Sequence, residues 1–354
     1  RDSVASRGLG DVYKRQILCY LEDYIKRYRS FLYILMGFVM VLIAGLREIG
    51  LDPDSENYEY SFQHYYQSSE MGMVEPSFTL ISAVLNVFTD NVHLLFLVYA
   101  FLGVTIKLYA FKKNLQCIFV PLMLYISFYF VLHEMTQIRA GVVSALFLLA
   151  VYYIAKKEKR KALLLIIVGS FFHYSSLALL PTLMFGNKDF NRKENIMIAL
   201  LIPLSYLIYF GGISMLLNTD IPLIGNKLAI YQQAMEKGKM TVNINVFDPV
   251  HLVSVMLFYY TLYFRKTITA FNENYNVVIK IVAIGLFLHT SLAFLPVLAL
   301  RTSQLYCIVN IFLFSGIVYT FKQKWMGITI LVLLSIFQMY LALPHYGLGD
   351  IVRF

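Results

Sequence analysis

A chain of 354 residues that is 59% apolar or aromatic, only 14% charged, and +0.65 in mean hydropathy cannot be a soluble globular protein. Soluble surfaces need far more polar side chains than this chain has to offer. The net charge of +9 sits in short clusters between apolar runs, which argues against a nucleic-acid partner. Those runs recur at about 18 residues or more, enough to cross a hydrocarbon core of roughly 30 Å. They do not alternate apolar with polar residues, so the expected spans are helices rather than barrel strands. The predicted fold is an all-α, polytopic transmembrane bundle of roughly ten to eleven spans.

In chain order, the opening RDSVASRGLGDVYKRQ is polar, broken by glycine and joined to no helical pattern, so residues 1–16 are expected to stand outside the fold. Candidate spans run over 30–46, 92–111, 115–132, 139–155, 161–185, 195–217, 249–264, 277–300, 303–321 and 325–343. Together they make a single bundle over 17–343, followed by a tail at 344–354. Basic residues mark the cytoplasmic ends of spans. The cluster Lys156-Lys157-Glu158-Lys159-Arg160-Lys161 is the strongest marker, and Lys112-Lys113, Arg265-Lys266, Lys322 and Lys324 agree with it if spans alternate. Residues 47–75 instead carry one arginine and seven acids, which places the loop over about 47–91 outside the cytoplasm. A second outer loop is expected at 218–248.

Two segments do not fit simple counting. Residues 76–89 put Phe78, Ile81, Val84, Leu85 and Phe88 on one face, with Ser77, Ser82, Asn86 and Thr89 opposite. That pattern predicts an amphipathic helix lying in the membrane interface. If 161–185 crossed once, Lys188, Arg192 and Lys193 would fall on the outer side, so this stretch either re-enters or breaks near Gly169 and His173.

Charged residues at span ends need a partner or a task, because a charge in hydrocarbon costs about 2.5–3.5 kcal/mol or more. Arg47, Arg139 and Arg301 all fall at the outer side by this count. Guanidinium forks match phosphate oxygens, so the three suit a lipid-linked diphosphate. The bland alternative pairs Arg47 with Glu48 or Asp52, and Arg139 with Glu134. The acidic loop offers Asp52, Asp54 and Glu75 as candidate general bases. Its tyrosines, Tyr58 among them, offer faces for sugar rings or simply sit in an interfacial belt. His173 is a second candidate for proton transfer, whereas His133 and His289 make weaker cases. Cys19, Cys117 and Cys307 show no metal or redox spacing, and no P-loop, dinucleotide or zinc motif is present.

Taken in order, Leu46-Arg47-x-x-Gly50-x-Asp52-x-Asp54-x-x-x-Tyr58, Glu75-Pro76-Ser77-Phe78, Gln137-Ile138-Arg139, Phe172-His173-Tyr174-Ser175 and Arg301-x-x-x-x-Tyr306 resemble the EpsG-like branch of the Wzy polysaccharide polymerases. The family usually has one Asp after the glycine, where this chain has two. The resemblance implies a C-type glycosyltransferase-like architecture in the bacterial cytoplasmic (inner) membrane. It also implies an inverting, metal-independent transfer of a growing glycan between undecaprenyl-diphosphate carriers at the outer face, with no cofactor. Arg139 and Arg301, with Arg47 in support, would hold the diphosphate. An acid of the first outer loop, with His173 second, would be the base, and Tyr58, Gln137, Ser175 and Tyr306 would position substrate. Implied partners are lipid-linked glycans and membrane lipid, with a chain-length regulator and a flippase as further candidates. The rival reading is a flippase or transporter of lipid-linked oligosaccharide, which would use similar arginines without a base.

Overall fold

A computed structural model describes residues 27–66, 75–217 and 244–345. The expected lead at 1–16, most of the loop at 218–248 and most of the tail at 344–354 lie outside these residues. Every regular element among them is helical. In chain order these are α1 (Arg27–Gly45), α2 (Ser55–Gln63), α3 (Pro76–Asn86) and α4 (Val92–Asn114). Next come α5 (Phe119–Leu124), α6 (Ile138–Ala155), α7 (Lys159–Phe172) and α8 (Arg192–Leu217). The remainder are α9 (Pro249–Tyr263), α10 (Arg265–Thr269), α11 (Tyr275–Ser291), α12 (Pro296–Cys307), α13 (Asn310–Ser315) and α14 (Lys324–His345). By length and composition six of the helical stretches can cross a membrane, fewer than the ten to eleven expected because several apolar runs form helices of 17 residues or fewer; α12 and α13 count as one continuous stretch over Pro296–Thr320. The chain is a multi-pass helical membrane protein.

The bundle has two chemically distinct ends. At the basic end Arg29 donates to the Gln116 carbonyl at 2.7 Å, and Gln116 donates to the Phe271 carbonyl at 3.2 Å. Lys156 pairs with Glu273, whose carbonyl accepts from Asn187. Arg265 reaches Asp189 at 2.9 Å and Asn276 at 3.0 Å. Hydrogen bonds from Asn276 and Arg265 hold the Asp189 carboxyl below its usual range. The opposite end carries Arg47, Asp52, Asp54 and Glu75.

These contacts decide the path of residues 159–193. Helix α7 rises from the basic end and stops at His173, which is extended (φ −158°, ψ 126°). The chain then folds back as a 3-10 helix, Tyr174–Met184, along α7. Ser176 donates to the Ile166 carbonyl at 2.7 Å and closes the hairpin. Asn187 and Asp189 are thereby back at the basic end, beside Lys156. The stretch over 161–185 therefore re-enters rather than crossing, and Lys188, Arg192 and Lys193 obey the charge rule. A β-carbon on Gly169 would stand 2.5 Å from the Ser176 hydroxyl oxygen. Gly169→Val should therefore pry the hairpin open and lower the thermal midpoint in detergent by the equivalent of about 1–3 kcal/mol. An unchanged midpoint would mean that this close approach is dispensable.

Three expectations need adjustment. The outer turn between the spans expected at 277–300 and 303–321 falls at 292–295, so Arg301 lies inside α12 rather than between spans. The passage that begins with α5 continues through two π-helical stretches, Tyr125–Tyr129 and Val131–Thr136, before Gln137 breaks it. Finally, α3 and the turn after it carry apolar residues on two sides, one against the protein and one away from it. Ser77, Phe78 and Ser82 are buried, and Asn86 donates to the Phe62 carbonyl at 3.1 Å, whereas Leu80, Val84, Val87 and Phe88 point away from the protein. Phe78, Ile81 and Leu85 thus pack inward with the serines, and the outward Leu80, Val84, Val87 and Phe88 suit a helix resting on acyl chains.

Candidate functional site

Segments far apart in sequence converge at the acidic end on a cleft of about 120 Å³. Asp54, Tyr58, Gln137, Arg139, His173, Ser175 and Arg301 all line it, joined by His133, Ala140, Gln304 and Leu305.

Arg139 occupies the first turn of α6, where a cation opposes the positive end of the helix dipole. Glu75, the residue before α3, offsets this by pairing with Arg139. The Arg139 guanidinium also lies 5.5 Å from the Tyr58 ring and 5.6 Å from Phe78. Its buried Nε has no hydrogen-bond partner among the described residues. The expected bland partner, Glu134, is committed elsewhere: Lys107 reaches it at 2.5 Å inside the bundle. Arg301 enters the cleft from α12 and has no ion-pair partner among the described residues.

The re-entrant hairpin delivers His173 and Ser175 at its tip. Ser175 donates its backbone N–H to His173 Nδ1 at 3.2 Å, and its hydroxyl lies 2.7 Å from the same nitrogen. A neutral ring that accepts at Nδ1 carries its proton on Nε2. That Nε2 stands 3.7 Å from Glu75. Glu75 thus pairs with Arg139 and lies beside His173.

Asp52 and Asp54 separate cleanly. Asp52 is buried and takes a 2.9 Å hydrogen bond from Arg47 Nε; it also accepts from the Asp54 backbone N–H at 3.1 Å. Arg47 is 4% exposed, donates to the Ala44 carbonyl at 2.6 Å, and lies 3.9 Å from the Phe96 ring. Arg47 and Asp52 therefore pair with each other outside the cleft lining, leaving Arg47 Nη2 without a partner among the described residues, and the bland alternative is what forms. Their contact shapes the Gly50 turn (φ 87°), where only glycine is unstrained. Asp54 is the carboxylate that faces the cleft. Burial raises its pKa, the neighbouring Asp52 charge adds to the rise, and Arg139 and Arg301 pull it back down.

Tyr306 also sits apart from the cleft. It is 2% exposed and donates its hydroxyl to the Ala178 carbonyl at 2.7 Å, tying α12 to the re-entrant hairpin. Sequence reasoning gave no weight to Gln304, whose Oε1 is buried without a partner, and little to His133, whose buried Nε2 likewise has none. Gln304 could have been found as the residue three after Arg301 and hence on the same helix face. His133 depends on the π-helical turn, for which the sequence holds no signal. Among the described residues no cluster of three or more His, Cys, Asp or Glu could hold a metal ion.

Fold and cleft define a multi-pass helical membrane protein with an arginine-rich, carboxylate-bearing site at one end of the bundle. The chain matches the EpsG family over residues 30–348 and belongs to it, a family of glycosyltransferase-like polysaccharide polymerases. No curated protein and no solved structure matches the chain.

Proposed function

We propose that the protein polymerises undecaprenyl-diphosphate-linked oligosaccharide units at the outer face of the bacterial cytoplasmic membrane. The observation that carries this reading is the meeting of Arg139, Arg301 and Asp54 in one cleft at the acidic end of the bundle. With the basic end in the cytoplasm, as the positive-inside rule requires, that cleft faces the exported substrates.

The reaction is a single displacement. A hydroxyl at the non-reducing end of one lipid-linked unit attacks the anomeric carbon of the other carrier's glycan. The bond from that carbon to the diphosphate oxygen breaks, its electron pair leaves with the diphosphate, and the configuration inverts. Arg139 and Arg301 bind the charge growing on the leaving group, with the N-terminal end of α6 adding its dipole. Asp54 takes the hydroxyl proton. His173 is the poorer base, because its Nδ1 accepts from Ser175 and its Nε2 carries the ring proton toward Glu75. Tyr58, Gln137 and Ser175 position the sugars. A volume near 120 Å³ is below the roughly 300–1,000 Å³ of drug-sized sites, so only the reacting ends enter.

The test is purified protein with lipid-linked repeat units, read as a ladder of longer glycans. Transport of the units without elongation would overturn the polymerase reading in favour of a flippase. Asp54→Asn should remove at least about 10²-fold of the elongation rate, the scale of a general base. The pH profile should share the cause. Activity needs the ionised carboxylate, so it falls as pH drops through a pKa displaced above the usual carboxylate range. For stability the sign is opposite to that of a salt-bridged acid. Raising the folded pKa means that stability is lost as pH rises from the unfolded toward the folded value. Asp54→Asn should therefore leave the thermal midpoint at neutral pH unchanged or higher, and a marked fall would assign Asp54 a structural role.

A further inference from the structure

A second pocket lies at the other end of the molecule. It has a volume of about 550 Å³ and is formed where the start of α1, the α4–α5 junction and the α10–α11 junction meet. Arg29, Lys112 and Lys113 line it. None of the three has an ion-pair partner among the described residues. The acid in the lining, Glu273, is neutralised by Lys156. The pocket therefore carries net positive charge.

Its floor is amide-rich and incompletely satisfied. Asn272 and Asn274 are 6% and 3% exposed, and both line the pocket. Asn272 spends its carbonyl oxygen on the Asn274 backbone N–H at 3.0 Å, which leaves its buried Nδ2 without a partner. Asn274 donates to Asn114 at 3.4 Å, which leaves its Oδ1 unpartnered. Buried amide groups without partners are destabilising until something satisfies them. Both residues line the cationic pocket, and a polar ligand with oxygens to accept from Asn272 and a hydroxyl to donate to Asn274 would satisfy them. Tyr33 and Phe271 complete the wall beside the exposed Ile34.

We propose that this pocket binds a phosphate group that also bears hydroxyls, such as the glycerophosphate headgroup of an acidic phospholipid. The phosphate lies among Arg29, Lys112 and Lys113, and its hydroxyl-bearing substituent against Asn272 and Asn274. Position favours a lipid source. The pocket lies at the basic end of the spans, and clustered lysines and arginines there attract acidic headgroups. The site is separate from the cleft at the acidic end and does not depend on the reaction assigned there.

The experiment uses the full chain in nanodiscs or neutral detergent, with phosphatidylglycerol, dioleoylglycerol or inorganic phosphate added and binding followed by native mass spectrometry. Phosphatidylglycerol should bind saturably and dioleoylglycerol should not. Binding of inorganic phosphate with equal affinity would retain the phosphate site but assign it to a soluble ligand. The triple variant R29Q/K112Q/K113Q should weaken binding roughly tenfold or more, and K322Q/K324Q, which alters the same end outside the pocket, should not. Equal losses in both variants would reduce the effect to diffuse surface charge and overturn the site, as would binding unchanged in the triple variant. Since none of these residues touches the cleft, glycan elongation can fail or succeed independently of this result.

Discussion

Arg301→Lys should all but abolish chain growth while leaving the protein folded and inserted. Lysine keeps the charge but loses the planar fork that grips two phosphate oxygens at once. The scale is that of removing one preorganised donor from a developing anion, about 10²–10³ in rate. Arg301 is the cleaner of the two arginine tests. It is exposed to the cleft and has no carboxylate partner among the described residues, so its replacement orphans nothing. Arg139→Lys should lose as much activity, but it also loosens Glu75, its ion-pair partner. A difference in thermal midpoint should therefore separate the pair, small for the variant at 301 and larger at 139. Elongation of lipid-linked units by purified protein is the measurement. Full activity in both lysine variants would remove the leaving-group role from these side chains.

How much of this was legible beforehand follows from which interactions are local. Helical spans come from long apolar runs, and the outer placement of the acidic loop comes from charge counting, both properties of contiguous sequence. Re-entry of the hairpin was half visible, since Lys188, Arg192 and Lys193 could obey the charge rule only if the chain turned back. The sequence could not say that His173 would form the tip. The Arg47–Asp52 pair was readable because five residues on a turn bring them together, but the partner of Arg139 was not. Glu134 is near Arg139 in sequence, yet the π-helical turn over Val131–Thr136 buries it on the far side, facing α4. Glu75 arrives instead from across a loop. Likewise, choosing between Asp52 and Asp54 required knowing which carboxylate the turn around Gly50 aims inward. Pairing across elements, rather than element type, is where sequence reasoning stopped.

The same blind spot hid Lys107, a cation with no exposed surface in the middle of α4. Its Nζ donates to Glu134 at 2.5 Å and to the Gly141 carbonyl at 2.7 Å, and the Tyr125 hydroxyl donates to the same Glu134 oxygen at 2.7 Å. Gly103 lets the Glu134 carboxylate lie directly against α4, where a β-carbon would collide with it. Removing one member leaves a bare charge inside the bundle, which costs about 3–5 kcal/mol in buried pairs. Lys107→Met and Glu134→Gln should each lower the thermal midpoint steeply or reduce the yield of inserted protein. The double variant K107M/E134Q should recover most of the loss, because no uncompensated charge remains. Activity should not recover with it. Glu134 lies on the π-helical turn that leads into Gln137 and Arg139, and Lys107 ties that turn to α6 through Gly141, so a neutral pair restores the bundle without restoring the position of Arg139. If activity and stability returned together, the ion pair would be a packing device alone, and the geometry of Arg139 would have to be set by Glu75.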